Sequence, residues 1–219
     1  MTNGISVKVC GITSVADAEA AYACGADYLG FIQYPKSPRY IALEAFQEML
    51  PKLPPLPKIG VVVYESLEAM EPFRDAGFDF VQFHFPNETP FCEAVLWTDI
   101  IVPEKMWAAP RIPPGKDFDL AFLPLADTFL MDSYHPLKAG GSGMVGDWHQ
   151  FYRLQSNFQR VRWFLAGGLN PENIVTAIKE SDARNVDVNS GVESQPGVKD
   201  HAKLKAFFQA IAQSVPLPG

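Results

Sequence analysis

Short apolar runs alternate with amphipathic stretches along most of this chain. The runs are rich in β-branched and aromatic side chains and are bounded by turn residues, which predicts buried strands. Between Phe85 and Ala126 several prolines interrupt the pattern, and only one strand, the fifth, is predicted there. The eight predicted strands are Val7–Cys10, Tyr28–Ile32, Lys58–Val63, Phe80–Phe83, Asp99–Val102, Thr128–Met131, Val161–Ala166 and Val186–Val188.

The segments between the predicted strands carry the start and stop signals of helices. Residues Ser14–Asp17 match a capping box, and Gly25 ends the helix that follows. Ser66 is predicted to cap a helix that ends at Gly77. Asn170–Pro171 combines an N-cap residue with a proline at the first helical position. Strands and helices therefore alternate through the chain.

This alternation predicts an α/β fold, a single-domain (β/α)8 TIM barrel that spans residues 1–219. The main alternative is a doubly wound open sheet, which usually has fewer strands. A Gly-x-Gly-x-x-Gly turn after the first strand would favour such a sheet for a dinucleotide. The chain has Gly11-Ile12-Thr13 at that place, so the barrel is favoured.

Polar residues collect at the ends of the predicted strands. In a TIM barrel these carboxyl-terminal ends meet at one rim, where the chemistry of the fold takes place. A random scatter of polar residues would not gather there, so the pattern predicts a functional site at this rim. The residues concerned are Cys10, Gln82, His84, Asp132, Gly167, Gly168, Asp187 and Asn189.

The first strand places an ammonium next to a thiol. Lys8 and Cys10 are two residues apart, so their side chains point to the same face of the strand. We expect the ammonium to lower the pKa of the thiol and to raise its thiolate fraction. The alternative is that Cys10 is a small buried apolar residue without a chemical role.

Three glycine-rich turns follow the sixth, seventh and eighth predicted strands. Backbone amides without side chains can approach phosphate oxygens closely, and barrels commonly build phosphate sites after strands seven and eight. The alternative is that these glycines serve tight turns only. The predicted phosphate-binding residues are Gly141, Ser142, Gly143, Gly167, Gly168, Asn189, Ser190 and Gly191.

Four charged or titratable residues each have a functional and a structural interpretation. Asp132 is an acid or base, or it caps the next turn through Ser133. His84 contacts a substrate, or it is a satisfied structural histidine. Arg39 binds a carboxylate at the barrel mouth, or it is a solvated loop charge. Asp187 binds a hydroxyl group, or it anchors the loop after the eighth strand.

Net charge and cysteine content limit which ligands and which cellular compartment are expected. The net charge of −7 argues against nucleic acid, and it leaves any phosphate to be held by local donors. The chain has no signal-peptide pattern and no apolar run near the roughly 18 residues that span a membrane. Three cysteines without metal-ligand spacing predict no metal site and favour a reduced compartment, the cytoplasm.

With these residues assembled, the chain resembles phosphoribosylanthranilate isomerase, a cofactor-free barrel enzyme of tryptophan biosynthesis. The matching segments run in family order over nearly the whole chain, and their combination is specific although each alone is weak. They are Lys8–Thr13, Gly25–Phe31, Ser37–Tyr40, Val81–His84, Asp132–Ser133, Gly140–Gly143, Asp147–Trp148, Leu165–Asn173, Asp187–Glu193, Pro196–Gly197 and Lys199–Asp200.

The resemblance implies an Amadori rearrangement of N-(5-phosphoribosyl)anthranilate to carboxyphenylamino-deoxyribulose phosphate. Asp132 would be the general acid that protonates the furanose ring oxygen, and Cys10 the general base that removes the C2′ proton. Arg39 would face the anthranilate carboxylate, and the glycines after strands six to eight would hold the phosphate. The resemblance implies a small phosphorylated substrate, no cofactor, and a monomer or homodimer. The substrate-binding residues would be Arg39, Gln82, His84 and Asp187.

The chain also departs from the family pattern. Phe85 follows the strand-four histidine where the family usually has glycine, and we expect its ring at the barrel mouth. Two other hypotheses therefore stand beside the isomerase. One is a barrel that binds a phosphosugar without catalysis, its pocket narrowed by Phe85, and the other is an enzyme for a different phosphosugar. The presence of both Cys10 and Asp132 favours catalysis, because a pure binder needs neither.

Overall fold

The computed structural model describes residues 1–113, 115–132 and 147–214, and it confirms the predicted barrel. Eight parallel strands close in chain order, and a separate antiparallel hairpin follows them. Strands β1 to β10 are Ser6–Val9, Tyr28–Ile32, Lys58–Val63, Phe80–Pro86, Met106–Arg111, Thr128–Met131, Arg162–Leu165, Asn185–Val188, Glu193–Gln195 and Val198–Lys199. Helices α1 to α6 are Val15–Cys24, Leu43–Met49, Phe91–Val95, Trp148–Asn157, Ile174–Ser181 and His201–Gln213.

The barrel closes where β1 pairs with β8. In this register Lys8 lies beside Asp187, and Val9 lies beside Val188. On its other side β1 pairs with β2, where Lys8 lies beside Tyr28. The first and the eighth strands of the barrel are thereby joined in one sheet.

Local signals in the sequence account for the ends of several helices. The Ser14 side chain accepts a hydrogen bond from the Asp17 amide, and Gly25 ends α1 in the left-handed conformation at φ 102°. The Asp200 carboxylate accepts hydrogen bonds from two amides in the first turn of α6. None of the helices in the described ranges is long and apolar enough to cross a membrane.

The interior of the barrel forms a core distinct from the larger apolar layer between strands and helices. The rings of Tyr28, Trp107 and Phe164 contact one another with centroids 4.5 to 5.7 Å apart. Tyr28 and Trp107 lie at or near the start of their strands, so these rings fill the amino-terminal part of the barrel. These rings therefore close the barrel interior below its carboxyl-terminal end.

The fifth strand lies at Met106–Arg111, so the prediction of a strand at Asp99–Val102 is wrong. The apolar side chains of Ile100 and Ile101 are buried, but they follow a 3₁₀ turn after α3. Pro110 lies inside β5, although proline is unusual in a strand because it lacks an amide donor. It is tolerated because β5 pairs with β6 only through Trp107 and Ala108, before the proline is reached.

The predicted helix after Ser66 is also wrong. The Ser66 hydroxyl accepts a hydrogen bond from the Ala69 amide, but only a 3₁₀ helix at Glu71–Phe73 follows. Pro72 has no amide hydrogen to continue an α-helical ladder at this point. Met70 is nevertheless buried, so the apolar pattern marks burial here without an α-helix.

Phe85 does not lie at the barrel mouth, which corrects the expectation of a narrowed pocket. Its buried ring packs between the strands and the outer layer, with centroids 4.6 Å from Trp97 and 5.0 Å from Phe122. Side chains alternate along β4, so Gln82 and His84 face the interior while Phe85 faces outward.

We therefore expect Phe85 to contribute to stability and not to the pocket. Phe85→Ala should lower the free energy of unfolding by about 3–5 kcal/mol, because it removes a buried ring and leaves a cavity. Phe91→Ala is the matched control, since Phe91 is 41% exposed and should cost less than about 1 kcal/mol. Urea unfolding followed by circular dichroism measures both, and equal losses would contradict the assignment.

Candidate active site

A pocket opens at the carboxyl-terminal end of the barrel, with a volume of about 700 Å³ that includes its open mouth. Ten of the predicted site residues line it together: Cys10, Arg39, Gln82, His84, Asp132, Gly167, Gly168, Asp187, Asn189 and Ser190.

Three further predicted residues, Gly141, Ser142 and Gly143, lie outside the described part of the chain. Gly191 is not part of the pocket lining but packs close behind it, where a Cβ would collide with the Leu169 carbonyl. Tyr34 and Ser37 also line the pocket, although neither was predicted from the sequence. Their position directly after β2, at the carboxyl-terminal rim, is the signal that could have found them.

Cys10 follows β1 and is almost completely buried. Gly30 on β2 leaves room for it, because a Cβ at Gly30 would lie 2.9 Å from the Cys10 Sγ. Burial raises the pKa of the Cys10 thiol by more than the nearby Lys8 ammonium lowers it. The expected fall in this pKa is therefore wrong, and the thiol is protonated in the resting protein.

The Lys8 ammonium forms a buried ion pair directly beneath the pocket. Its Nζ lies 3.0 Å from Asp187 Oδ1, and the Lys8 side chain has no solvent exposure. Burial lowers the pKa of Lys8, but opposing effects, of which the charge of Asp187 is the largest, raise it overall. Asp187 thus lines the pocket and also supplies the counter-charge for a lysine that water cannot reach.

His84 is neutral. Burial, together with the Lys8 and Arg111 charges, lowers the pKa of His84 to about 3. Its Nε2 lies 2.7 Å from the Gln82 side-chain nitrogen and accepts a hydrogen bond from it, which leaves the ring proton on Nδ1. The buried Gln82 Oε1 has no hydrogen-bond partner within the described ranges, so it can accept a donor from a ligand.

Two consecutive glycines shape the loop after β7. Gly167 and Gly168 have φ values of 90° and 64°, a conformation that residues with a side chain rarely adopt. The Gly168 carbonyl accepts a hydrogen bond from Asn173 Nδ2 at 2.9 Å, and the Asn170 amide donates to Asn173 Oδ1 at 2.9 Å. The loop is therefore fixed by its own side chains at the edge of the pocket.

The sixth strand adds a carboxyl group to the pocket. Asp132 directly follows β6 and lines the pocket into which Cys10 faces from β1. Across residues 1–113, 115–132 and 147–214, no cluster of three or more His, Cys, Asp or Glu side chains could hold a metal ion. Fold and site together define a TIM-barrel enzyme whose pocket carries a thiol, a carboxyl group and glycine-rich loops.

Comparison with known proteins identifies the family. The family model for N-(5'phosphoribosyl)anthranilate (PRA) isomerase matches residues 7–210, and the chain belongs to this family. The N-(5'-phosphoribosyl)anthranilate isomerase of Syntrophus aciditrophicus is 38% identical over 94% of this chain and 86% of its own length. The Aquifex aeolicus enzyme of the same name is 36% identical over 94% of this chain and 97% of its own.

Solved structures agree with this assignment. The phosphoribosyl anthranilate isomerase of Thermus thermophilus superposes with a TM-score of 0.79 and 31% identity, covering 95% of this chain and 98% of that one. A second structure, a phosphoribosyl anthranilate isomerase, contains reduced 1-(o-carboxyphenylamino)-1-deoxyribulose 5-phosphate. It has a TM-score of 0.74 and 33% identity, over 94% of this chain and 98% of that chain.

The neutral state of His84 predicts acid-sensitive stability. Its folded pKa of about 3 lies below the unfolded value of 6.5, so the unfolded chain binds a proton between these pH values that the folded chain excludes. The free energy of unfolding should fall by about 1 kcal/mol per pH unit as the pH drops below roughly 6.5.

Urea unfolding at several pH values between about 7 and 5 measures this slope. His84→Gln should remove most of it, because glutamine does not titrate. His149→Gln, at an exposed site, is the matched control and should keep the wild-type slope. Identical slopes in the wild type and the His84→Gln variant would show that His84 does not exclude the proton.

Proposed function

We propose that this protein catalyses the Amadori rearrangement of N-(5-phosphoribosyl)anthranilate to 1-(2-carboxyphenylamino)-1-deoxyribulose 5-phosphate, in tryptophan biosynthesis. The observation that supports it most is that Cys10 and Asp132, from opposite sides of the barrel, line one pocket. Family membership supports the same reaction. We further propose a cytoplasmic protein that acts as a monomer or homodimer.

In this proposal Asp132 is the general acid. Its carboxyl group protonates the furanose ring oxygen, the bond from that oxygen to C1′ breaks, and the ring opens to an imine at the anthranilate nitrogen. A carboxyl group at a semi-buried strand end suits this role. Asp132 is partly exposed at the rim, where a bound substrate would cover it.

Cys10 is the proposed general base. As a thiolate it removes the C2′ proton of the imine, the electron pair forms the enolamine, and tautomerisation gives the ketone. Its raised pKa means that the thiol must first release its proton to water in the open pocket, and the resulting thiolate is then a stronger base. The buried Lys8 ammonium stabilises that thiolate at the moment when it forms.

The other pocket residues have proposed binding roles. Arg39 binds the anthranilate carboxylate, and Gln82, His84 and Asp187 contact the sugar chain. The amides of Gly167, Gly168, Asn189 and Ser190, with Gly141, Ser142 and Gly143, hold the phosphate, and Gly191 supports this loop from behind the pocket. The outward position of Phe85 removes the main argument for a barrel that binds a phosphosugar without catalysis.

Two substitutions test the proposed acid and base. With freshly prepared phosphoribosylanthranilate and a fluorescence assay, Cys10→Ser and Asp132→Asn should each lower kcat by about 10²–10⁴-fold. Cys92→Ser and Asp117→Asn are the matched controls at exposed positions and should keep wild-type rates. A wild-type protein without turnover would overturn the proposed reaction, and active variants would overturn the two roles.

A further inference from the structure

The hairpin after β8, here called the mouth hairpin, consists of residues Glu193–Lys199 and has no part in the chemistry proposed above. It nevertheless contacts loops that follow three different strands. Thr13, after β1, donates a hydrogen bond to the Gly197 carbonyl at 2.6 Å. Arg39, after β2, and Asn189, after β8, are both held by its charged side chains.

The Glu193 carboxylate lies at the centre of these contacts. It accepts hydrogen bonds from Arg39 Nε at 2.9 Å and Arg39 Nη2 at 2.7 Å, which is a bidentate pairing. Lys199 Nζ donates to it at 3.1 Å, and the Gly197 amide donates at 3.3 Å. Burial favours its neutral form, but Arg39 and Lys199 outweigh that effect and lower the pKa of Glu193, so it is ionised.

This pairing occupies one edge of the Arg39 guanidinium and leaves its other edge free of hydrogen bonds to the described residues. Nε and Nη2 are directed to Glu193, whereas Nη1 makes no hydrogen bond with any residue of the described ranges. Arg39 lines the pocket, and its side chain is only 11% exposed. A planar guanidinium held on one edge is fixed in orientation, so its free edge is preorganised for a planar anion.

Lys199 connects the same carboxylate to the loop after β8. Its Nζ donates to the Asn189 Oδ1 at 2.9 Å and to the Asn189 carbonyl at 3.3 Å, and its side chain is fully buried. Two basic side chains, Arg39 and Lys199, surround the one carboxylate of Glu193 at the mouth. A protein with a net charge of −7 thus presents a local cationic group to an anionic ligand.

We propose that Glu193 is a positioning residue for substrate recognition. It holds the Arg39 guanidinium by one edge, so that the free edge binds the ring carboxylate of the substrate. This inference rests on the proposed function, because that function supplies a substrate with a carboxylate at one end and a phosphate at the other.

The test compares two ligands that differ only in the ring carboxylate. These are reduced 1-(o-carboxyphenylamino)-1-deoxyribulose 5-phosphate and the same molecule with a plain phenyl ring, and calorimetry measures their Kd values. We expect the wild type to prefer the carboxylate by about tenfold or more, and Glu193→Gln to lose most of that preference. Glu180→Gln, at an exposed position on α5, is the matched control and should keep it.

Turnover gives a second readout that a purely structural role would not produce. Glu193→Gln should raise KM for phosphoribosylanthranilate by about tenfold and leave kcat within about twofold, because the acid and base are untouched. Glu193→Asp keeps the charge but shortens the reach, so it should show an intermediate preference. It serves as the second variant if Glu193→Gln does not fold.

The outcomes separate this inference from the proposed function. A wild type that turns over substrate, with a Glu193→Gln variant that still prefers the carboxylate, would overturn the inference and leave the function intact. Equal weakening of both ligands would also overturn it, because a general structural defect does not discriminate. Absent turnover would overturn the function, and the calorimetric preference would still decide the role of Glu193.

Discussion

The buried contact between Lys8 and Asp187 is the constraint on which the rest of this structure depends. An ammonium without access to water needs a counter-charge, and removal of either partner leaves the other uncompensated in the barrel interior. The two residues lie side by side on β1 and β8, so the pair forms only when the barrel is closed. Cys10 directly follows β1, so the ion pair that joins β1 to β8 also sets the electrostatic surroundings of the proposed base.

Strand and helix alternation, and the collection of polar residues at strand ends, were sufficient to predict the barrel and most of its pocket. Both patterns follow from local geometry, since parallel strands of a closed barrel bring their carboxyl ends to one rim. The predictions that were wrong concerned residues whose placement depends on neighbouring elements of the fold. Pro110 fits in a strand because the pairing of β5 with β6 has already ended before it, and Phe85 faces outward because His84 faces inward.

The acid–base electrostatics were less predictable than the positions of the residues. Spacing correctly placed Lys8 and Cys10 on one face, but the pKa of the thiol is decided by burial, which no spacing reveals. The partner of Arg39 is 154 residues away in sequence, and the hairpin that carries it was visible only as a family motif. Close pairs of opposite charge across such separations require knowledge of the tertiary fold.

The order of synthesis has a consequence for the barrel-closing pair. The chain grows from its amino terminus, and 179 residues separate Lys8 from Asp187. At about 5–20 residues per second, the lysine is made roughly 9–36 s before its partner. During translation that ammonium must remain hydrated, so the nascent sheet stays open at β1 until β8 emerges.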